Sequence, residues 1–198
     1  MQIHALVPVK LLKNAKSRLS KSLSDEERKN LVITMFEHVI SVLRSCEEIS
    51  DITIVTPDPF IKDLSEKAGV NVFQEEKPGY NESLTAAAEK IDKTHALLTI
   101  AADLPLLMKK DIQALLKRSL DHDVVFAPSK DNGTNAILTK FPLLLPYLFG
   151  ENSFETYKKE AQKRKLTVGL YNSETIAFDV DTPEDVKTYY KKIEKDQF

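Results

Sequence analysis

At 198 residues, 42% of them hydrophobic, the chain is sized for one domain around a single core. Its 28 Lys and Arg against 30 Asp and Glu leave a formal net charge of −2, which argues against a surface built for nucleic acid. The single cysteine, Cys46, excludes an internal disulfide and suits a reducing compartment.

No apolar run reaches the length of a membrane span and no basic-then-apolar leader opens the sequence. The expectation is therefore a cytoplasmic protein of one domain over residues 1–198, binding neither membrane nor nucleic acid. Residues 3–9 (IHALVPV) read as a short apolar strand. The loop after it carries Lys10, Lys13, Lys16, Arg18 and Lys21, and no acidic residue precedes Asp25. Such a run is compatible with a solvated surface, but at the carboxyl end of a first strand it is placed to hold an anion. The glycine-spaced dinucleotide fingerprint and the P-loop are both missing there, so Lys and Arg side chains would replace a glycine cradle.

Ser24 and Glu27 then form a capping box at the start of a long helix. Leu31, Met35, Phe36, Val39, Val42, Leu43 and Cys46 recur along it at helical spacing. A strand at 51–56, a helix at 59–69 and a strand at 70–74 follow. After a turn at 75–81, an alanine-rich helix covers about 82–93. Residues 95–103 (HALLTIAAD) are apolar without alternation, as buried parallel strands are. A helix near 109–121, strands at 123–129 and 135–139, a helix near 153–164, strands near 166–172 and 175–180, and a last helix opening at Thr182–Pro183 complete the chain. This alternation predicts an α/β domain with a mostly parallel sheet flanked by helices.

Ligands in such sheets bind at the carboxyl ends of the strands, and three more loops there carry candidate chemistry. Asp103 ends the central strand just before Leu104–Pro105. Burying a carboxylate there is costly without a cation, for which Mg²⁺ is suited, while a helix N-cap is its alternative use. Asp179 and Asp181 alternate with Val180, so on an extended segment both carboxylates point the same way and call for a cation. Thr182 and Pro183 suit a helix start, which gives Glu184 and Asp185 the role of helix-dipole partners. Residues 131–136 (DNGTNA) and 149–154 (FGENSF) set glycine beside small hydroxyl residues, where backbone N–H groups can hold phosphate or carboxylate oxygens. His4, His38, His95 and His122 show no metal-ligand spacing, and Cys46 lies on the apolar stripe of the first helix.

Taken in order, PVK and AKSRL after the first strand, ADLPLL, GTNA, FG..SF and DVDTPED resemble the 2-phospho-L-lactate guanylyltransferases of coenzyme F420 biosynthesis, from Val7 to Asp185. The resemblance implies a nucleotide-diphospho-sugar-transferase-like fold. It also implies an enzyme that joins GMP from GTP to a phosphorylated three-carbon acid, 2-phospho-L-lactate or phosphoenolpyruvate, releasing pyrophosphate. By position it implies Mg²⁺ on Asp103, Asp179 and Asp181, GTP contacts from Lys10, Lys16, Arg18 and Asn81, and a grip on the phospho-acid from Thr134, Gly150 and Ser153. Lys10, Arg18 and Asp103 would serve the catalytic step, in a homodimer. One departure is Tyr80, because relatives often have Gly-Leu-Asn where this chain has Gly79-Tyr80-Asn81.

The residue chemistry agrees with that reaction. A phosphate monoester loses its second proton at about pH 6, so it attacks at neutral pH without a general base. What it needs is neutralisation of charge by metal ions and by Lys or Arg. Without metal, the aspartates are expected to repel one another. A cytidylyl- or molybdopterin guanylyltransferase of the same fold, or a nucleotide-binding module without turnover, stays open at this level.

Overall fold

Strands buried on both faces need helices above and below them, and that requirement organises the chain. The computed structural model describes residues 2–74 and 79–195, so residues 75–78 of the expected turn lie outside the described residues. Among the described residues seven strands form one sheet: β1 (Ile3–Pro8), β2 (Ile49–Thr56), β3 (Asn71–Gln74), β4 (Ala96–Ile100), β5 (Val124–Pro128), β6 (Thr134–Thr139) and β7 (Val168–Leu170). Their order is β3-β2-β1-β4-β6-β5-β7. The pairs β1–β2, β1–β4, β2–β3 and β5–β7 are parallel, and β6 runs against both its neighbours. The helices are α1 (Asp25–Arg44), α2 (Pro59–Lys67), α3 (Tyr80–Ala88), α4 (Lys109–Ser119), α5 (Ser153–Lys163) and α6 (Pro183–Lys195).

Helix α1 starts where its cap predicts. Ser24 Oγ accepts from the Glu27 amide at 3.3 Å while the Glu27 carboxylate accepts from the Ser24 amide at 2.8 Å. Its stripe of Leu31, Met35, Phe36, Val39 and Leu43 is buried with Cys46 in the main core. Each such side chain contributes about 1.5–3 kcal/mol by leaving water. Helix α3 runs over 80–88 rather than 82–93, because turns closed by Lys90 and Ile91 and the Asp92–Thr94 side-chain bond at 2.8 Å end it early. The histidines are occupied structurally: His4 meets Thr53 Oγ1 at 2.7 Å and His38 meets the Leu107 carbonyl at 2.9 Å.

The reversal of β6 shapes the functional end of the sheet. Ile100, last in β4, faces Ala136, and the Ala101 amide donates to the Asn135 carbonyl at 2.8 Å. The start of β6, with Thr134, therefore emerges at the edge where β1, β4 and β5 end.

A strand expected near 175–180 does not form. Instead, Asp111 on α4, fully buried, gathers this stretch around its carboxylate. Tyr171 Oη donates to it at 2.7 Å, Ser173 Oγ at 2.8 Å and Thr175 Oγ1 at 2.8 Å, and the Met108 amide donates from the opposite side at 2.8 Å. Asn135 Nδ2 holds the Ile176 carbonyl at 2.9 Å. Side-chain hydrogen bonds thus take the place of a sheet ladder and deliver the chain to Asp179.

Candidate active site

The basic loop after β1 is anchored, not loose. Leu12 and Leu19 are buried, the Leu12 amide donates to Asp58 Oδ2 at 2.8 Å, and Arg28 Nη1 donates to the Ala15 carbonyl at 3.1 Å. Two short 3₁₀ turns, Leu12–Asn14 and Ser17–Leu19, carry it across the strand ends. Lys16 links them with φ at 52°, in the left-handed region, at a cost of about 1–2 kcal/mol for a residue with a Cβ.

That conformation sends Lys16 inward. Its ammonium bonds to Asp181 Oδ1 at 2.7 Å and also to Asp103 Oδ2. The lysine side chain is 8% exposed, against 31% for Asp103 and 33% for Asp181, so the ammonium sits behind carboxylates that face outward. Burial alone would lower the Lys16 pKa, but Asp103 and then Asp181 outweigh it and raise it above the ordinary lysine value. Arg18 Nη1 lies 3.5 Å from Asp181 Oδ2 with its side chain 71% exposed. These groups, with Lys10, Asn14 and Tyr80, line a cavity of about 360 Å³. Lys10 Nζ stands 5.0 Å from the centre of the Tyr80 ring. Lys13 and Lys21 are exposed and are not among its lining residues, so the run of five cations divides into three that face the cavity and two that face solvent.

Asp179 lies close enough to feel both other aspartates but takes no part in the Lys16 bridge. It is buried, and its Oδ1 has no hydrogen-bond partner. Burial, then Asp103, then Asp181 push its pKa up to about 6 from 3.8. Lys130 bonds to the Asp179 carbonyl at 3.0 Å and to the Asp185 carboxylate, which also accepts from the Thr182 amide at 2.8 Å. Asp185 thus fixes the start of α6 as a helix-capping group. Among the described residues, no three His, Cys, Asp or Glu side chains are grouped so that they could hold a metal ion. The point between Asp103 and Asp181 is taken by the Lys16 ammonium.

Asp179 makes stability depend on pH in a direction its raised pKa fixes. Below about pH 4 both the folded and unfolded chains hold the proton, and Asp179→Asn melts like wild type. Between about pH 4 and pH 6 the unfolded chain releases it first, so wild type loses stability relative to the variant as pH rises. At pH 7 the variant is the more stable by up to about 3 kcal/mol, at about 1.36 kcal/mol per pKa unit. Melting curves of both proteins across this range check it, and a pH-independent gap contradicts it.

Thr134, Gly150 and Ser153 form a second group. Ser153 Oγ donates to Thr134 Oγ1 at 3.2 Å, both residues are buried, and the Ser153 amide donates to the Gly150 carbonyl at 3.2 Å. Gly150 has φ at 154° with open space where a Cβ would stand, so its backbone is accessible in a conformation that favours glycine. Asn81, expected to touch nucleotide, commits its amide elsewhere: Nδ2 donates to the Phe149 carbonyl at 3.1 Å and Oδ1 accepts from the Phe149 amide at 3.0 Å. From that turn it is Tyr80 that lines the cavity. Local sequence signals missed Tyr80, together with the anchors Asp58, Arg28 and Asp111. The Gly-Tyr-Asn departure was the one available clue.

A mostly parallel α/β sheet whose strand ends hold Lys, Arg and Asp around one cavity is the build of a nucleotidyltransferase. A solved structure from Desulfovibrio desulfuricans G20, described among the nucleotide-diphospho-sugar transferases, superposes with a TM-score of 0.80 at 17% identity, covering 97% of this chain and 88% of that one. A 4-diphosphocytidyl-2C-methyl-D-erythritol synthase from Anaerococcus prevotii superposes at 0.62 and 14% identity, with 98% of both chains covered. The more specific match is to the family described as "Guanylyl transferase CofC like", over residues 3–190, and the chain belongs to that family. It is 35% identical over 187 residues to the 2-phospho-L-lactate guanylyltransferase of Methanocaldococcus jannaschii, covering 94% of this chain and 81% of the relative. It is 32% identical over 186 residues to the phosphoenolpyruvate guanylyltransferase of Sphaerobacter thermophilus, covering 92% and 90%.

Proposed function

We propose that this guanylyltransferase joins GMP from GTP to a phosphorylated three-carbon acid, 2-phospho-L-lactate or phosphoenolpyruvate, and releases pyrophosphate in coenzyme F420 biosynthesis. The observation that carries the reading is the cavity lined by Lys10, Lys16, Arg18, Asp103 and Asp181 in a chain of this family. An oxygen of the acceptor phosphate forms the new bond to the α-phosphorus of GTP, while the bond from that phosphorus to the pyrophosphate oxygen breaks. No proton has to be removed, since the attacking phosphate is already ionised at neutral pH. Among the described residues no histidine lines the cavity.

Lys10 and Arg18 are placed to bind the triphosphate and balance its charge as pyrophosphate departs. Thr134, Ser153 and the open backbone at Gly150 suit a small anion, which supports assigning the acceptor there. Asn81 holds that backbone in place through Phe149. Asp103 and Asp181, the two carboxylates that line the cavity, would hold Mg²⁺ together with phosphate oxygens of the substrate, the oxygen ligands it prefers. Mg²⁺, when bound, would polarise the transferring phosphoryl group.

The reading includes a cytoplasmic homodimer. Among the described residues no helix is long and apolar enough to cross a membrane. Phe141 and Leu143 are 46% and 38% exposed, which supports a subunit contact along 141–150. Sedimentation should give twice the 22.4 kDa chain mass, and a monomer at micromolar concentration counts against the dimer. The function itself is tested by incubating the protein with each of the four nucleoside triphosphates and either phospho-acid, with Mg²⁺ or excess EDTA. Pyrophosphate should appear with GTP and one of the two acids, and EDTA should stop it. Release with CTP instead, or with neither acid, removes the assignment.

A further inference from the structure

The acidic cluster already has a cation, and the protein supplies it. Lys16 Nζ bonds to Asp181 Oδ1 at 2.7 Å and to Asp103 Oδ2, at the point a divalent ion shared by the two carboxylates would need. An ammonium and a divalent ion cannot occupy neighbouring positions there without strong mutual repulsion, unless negative charge comes between them. The lysine is nearly enclosed, and it reaches this point from a left-handed backbone position on an anchored loop. Two carboxylates, Asp103 and Asp181, share this one buried ammonium, and Asp179 Oδ1 beside them is left with no partner.

We infer that Lys16 is the resident cation of the Asp103–Asp181 site, and that it exchanges carboxylate for polyphosphate when a nucleotide enters with its own divalent ion. The inference rests on the proposed function for the identity of the nucleotide. Arriving alone, a divalent ion has to displace an ammonium that has nowhere else to pair. Arriving with a triphosphate, it brings the anion that takes the ammonium over. Metal and nucleotide affinities are therefore coupled through Lys16, each raising the other, as linkage requires. Lys16's flexible stem and compact charge suit this change of partner better than the planar fork of an arginine.

The probe is Mn²⁺, followed by electron paramagnetic resonance of the free ion, on wild type, Lys16→Met, Lys16→Gln and the exposed-loop control Lys13→Gln. Without nucleotide, Lys16→Met should bind Mn²⁺ at least about 10-fold more tightly than wild type, and Lys13→Gln should match wild type. Lys16→Gln is one atom shorter and uncharged but keeps an N–H donor for the carboxylates, so it should show the same gain even if the methionine variant fails to fold. With GTP present, wild type should gain Mn²⁺ affinity and both Lys16 variants should gain much less. Equal Mn²⁺ affinity in all four proteins without nucleotide overturns the exchange while leaving the proposed function standing. Wild type that binds no Mn²⁺ even with GTP overturns the exchange and the metal part of that function together.

Discussion

Asparagine at position 103 should lower kcat/KM for guanylyl transfer on the order of 10³-fold, about 4 kcal/mol of transition-state stabilisation, in a protein that still folds. Asp103 stands in the cavity wall on the loop that follows β4, and its carboxylate is one of two that the Lys16 ammonium bridges. The substitution preserves shape and an acceptor oxygen for Lys16 but removes the charge on which cation placement depends. The free protein should lose only about 1 kcal/mol, the difference between a charge-assisted and a neutral hydrogen bond. This differs from the expectation of a cluster strained by its own charges, because the structure pairs Asp103 with a lysine. Initial rates of pyrophosphate release, set beside melting temperatures, decide the matter. A loss under about 10-fold, or one accompanied by unfolding, contradicts the role.

Alanine at position 111 is the largest expected effect on stability, about 3–4 kcal/mol. Three hydroxyls and one backbone amide converge on this single buried carboxylate, and without it the Ser173 and Thr175 hydroxyls keep only each other, at 2.7 Å. Asp111→Asn should fall between wild type and alanine, since one oxygen remains. The measurement is the urea midpoint at unchanged slope. Because the Tyr171–Thr175 stretch leads to Asp179 and Asp181, the alanine variant should also lose activity under conditions where it is still folded. A shift below about 1 kcal/mol would mean that water or a neighbour replaces the carboxylate.

What was legible in the sequence was what neighbouring residues decide. The Ser24–Glu27 cap and the stripe of α1 are local, and the structure has both, whereas the central strand expected to run to Asp103 ends earlier, at Ile100. The loop chemistry was legible as composition, because five cations without an anion mark an anion site or a solvated surface. The division between them was not, since it depends on which lysine turns inward. Lys16 meets partners 87 and 165 residues away, beyond any pattern a window of sequence can hold. The missing strand at 175–180 has the same cause. Its alternation reads as a strand, but a buried carboxylate from a distant helix offers its hydroxyls better partners than a ladder would. Asn81 was read as a ligand group by its place in the motif, although the backbone 68 residues on already satisfies it.

The pairing of Asn81 with Phe149 has a mechanical consequence. Tyr80 and Asn81 are consecutive, yet one lines the cavity assigned to nucleotide while the other grips the backbone next to Gly150 through two hydrogen bonds. The Tyr80 ring also meets Phe149 edge-on, with centroids 5.7 Å apart. The first turn of α3 and the segment before α5 are thus riveted at three points and can tilt only as one piece. A nucleotide bound in the proposed place and pushing on Tyr80 would push on the proposed acceptor seat as well, so the two halves of the cleft would act as a rocker rather than as independent compartments.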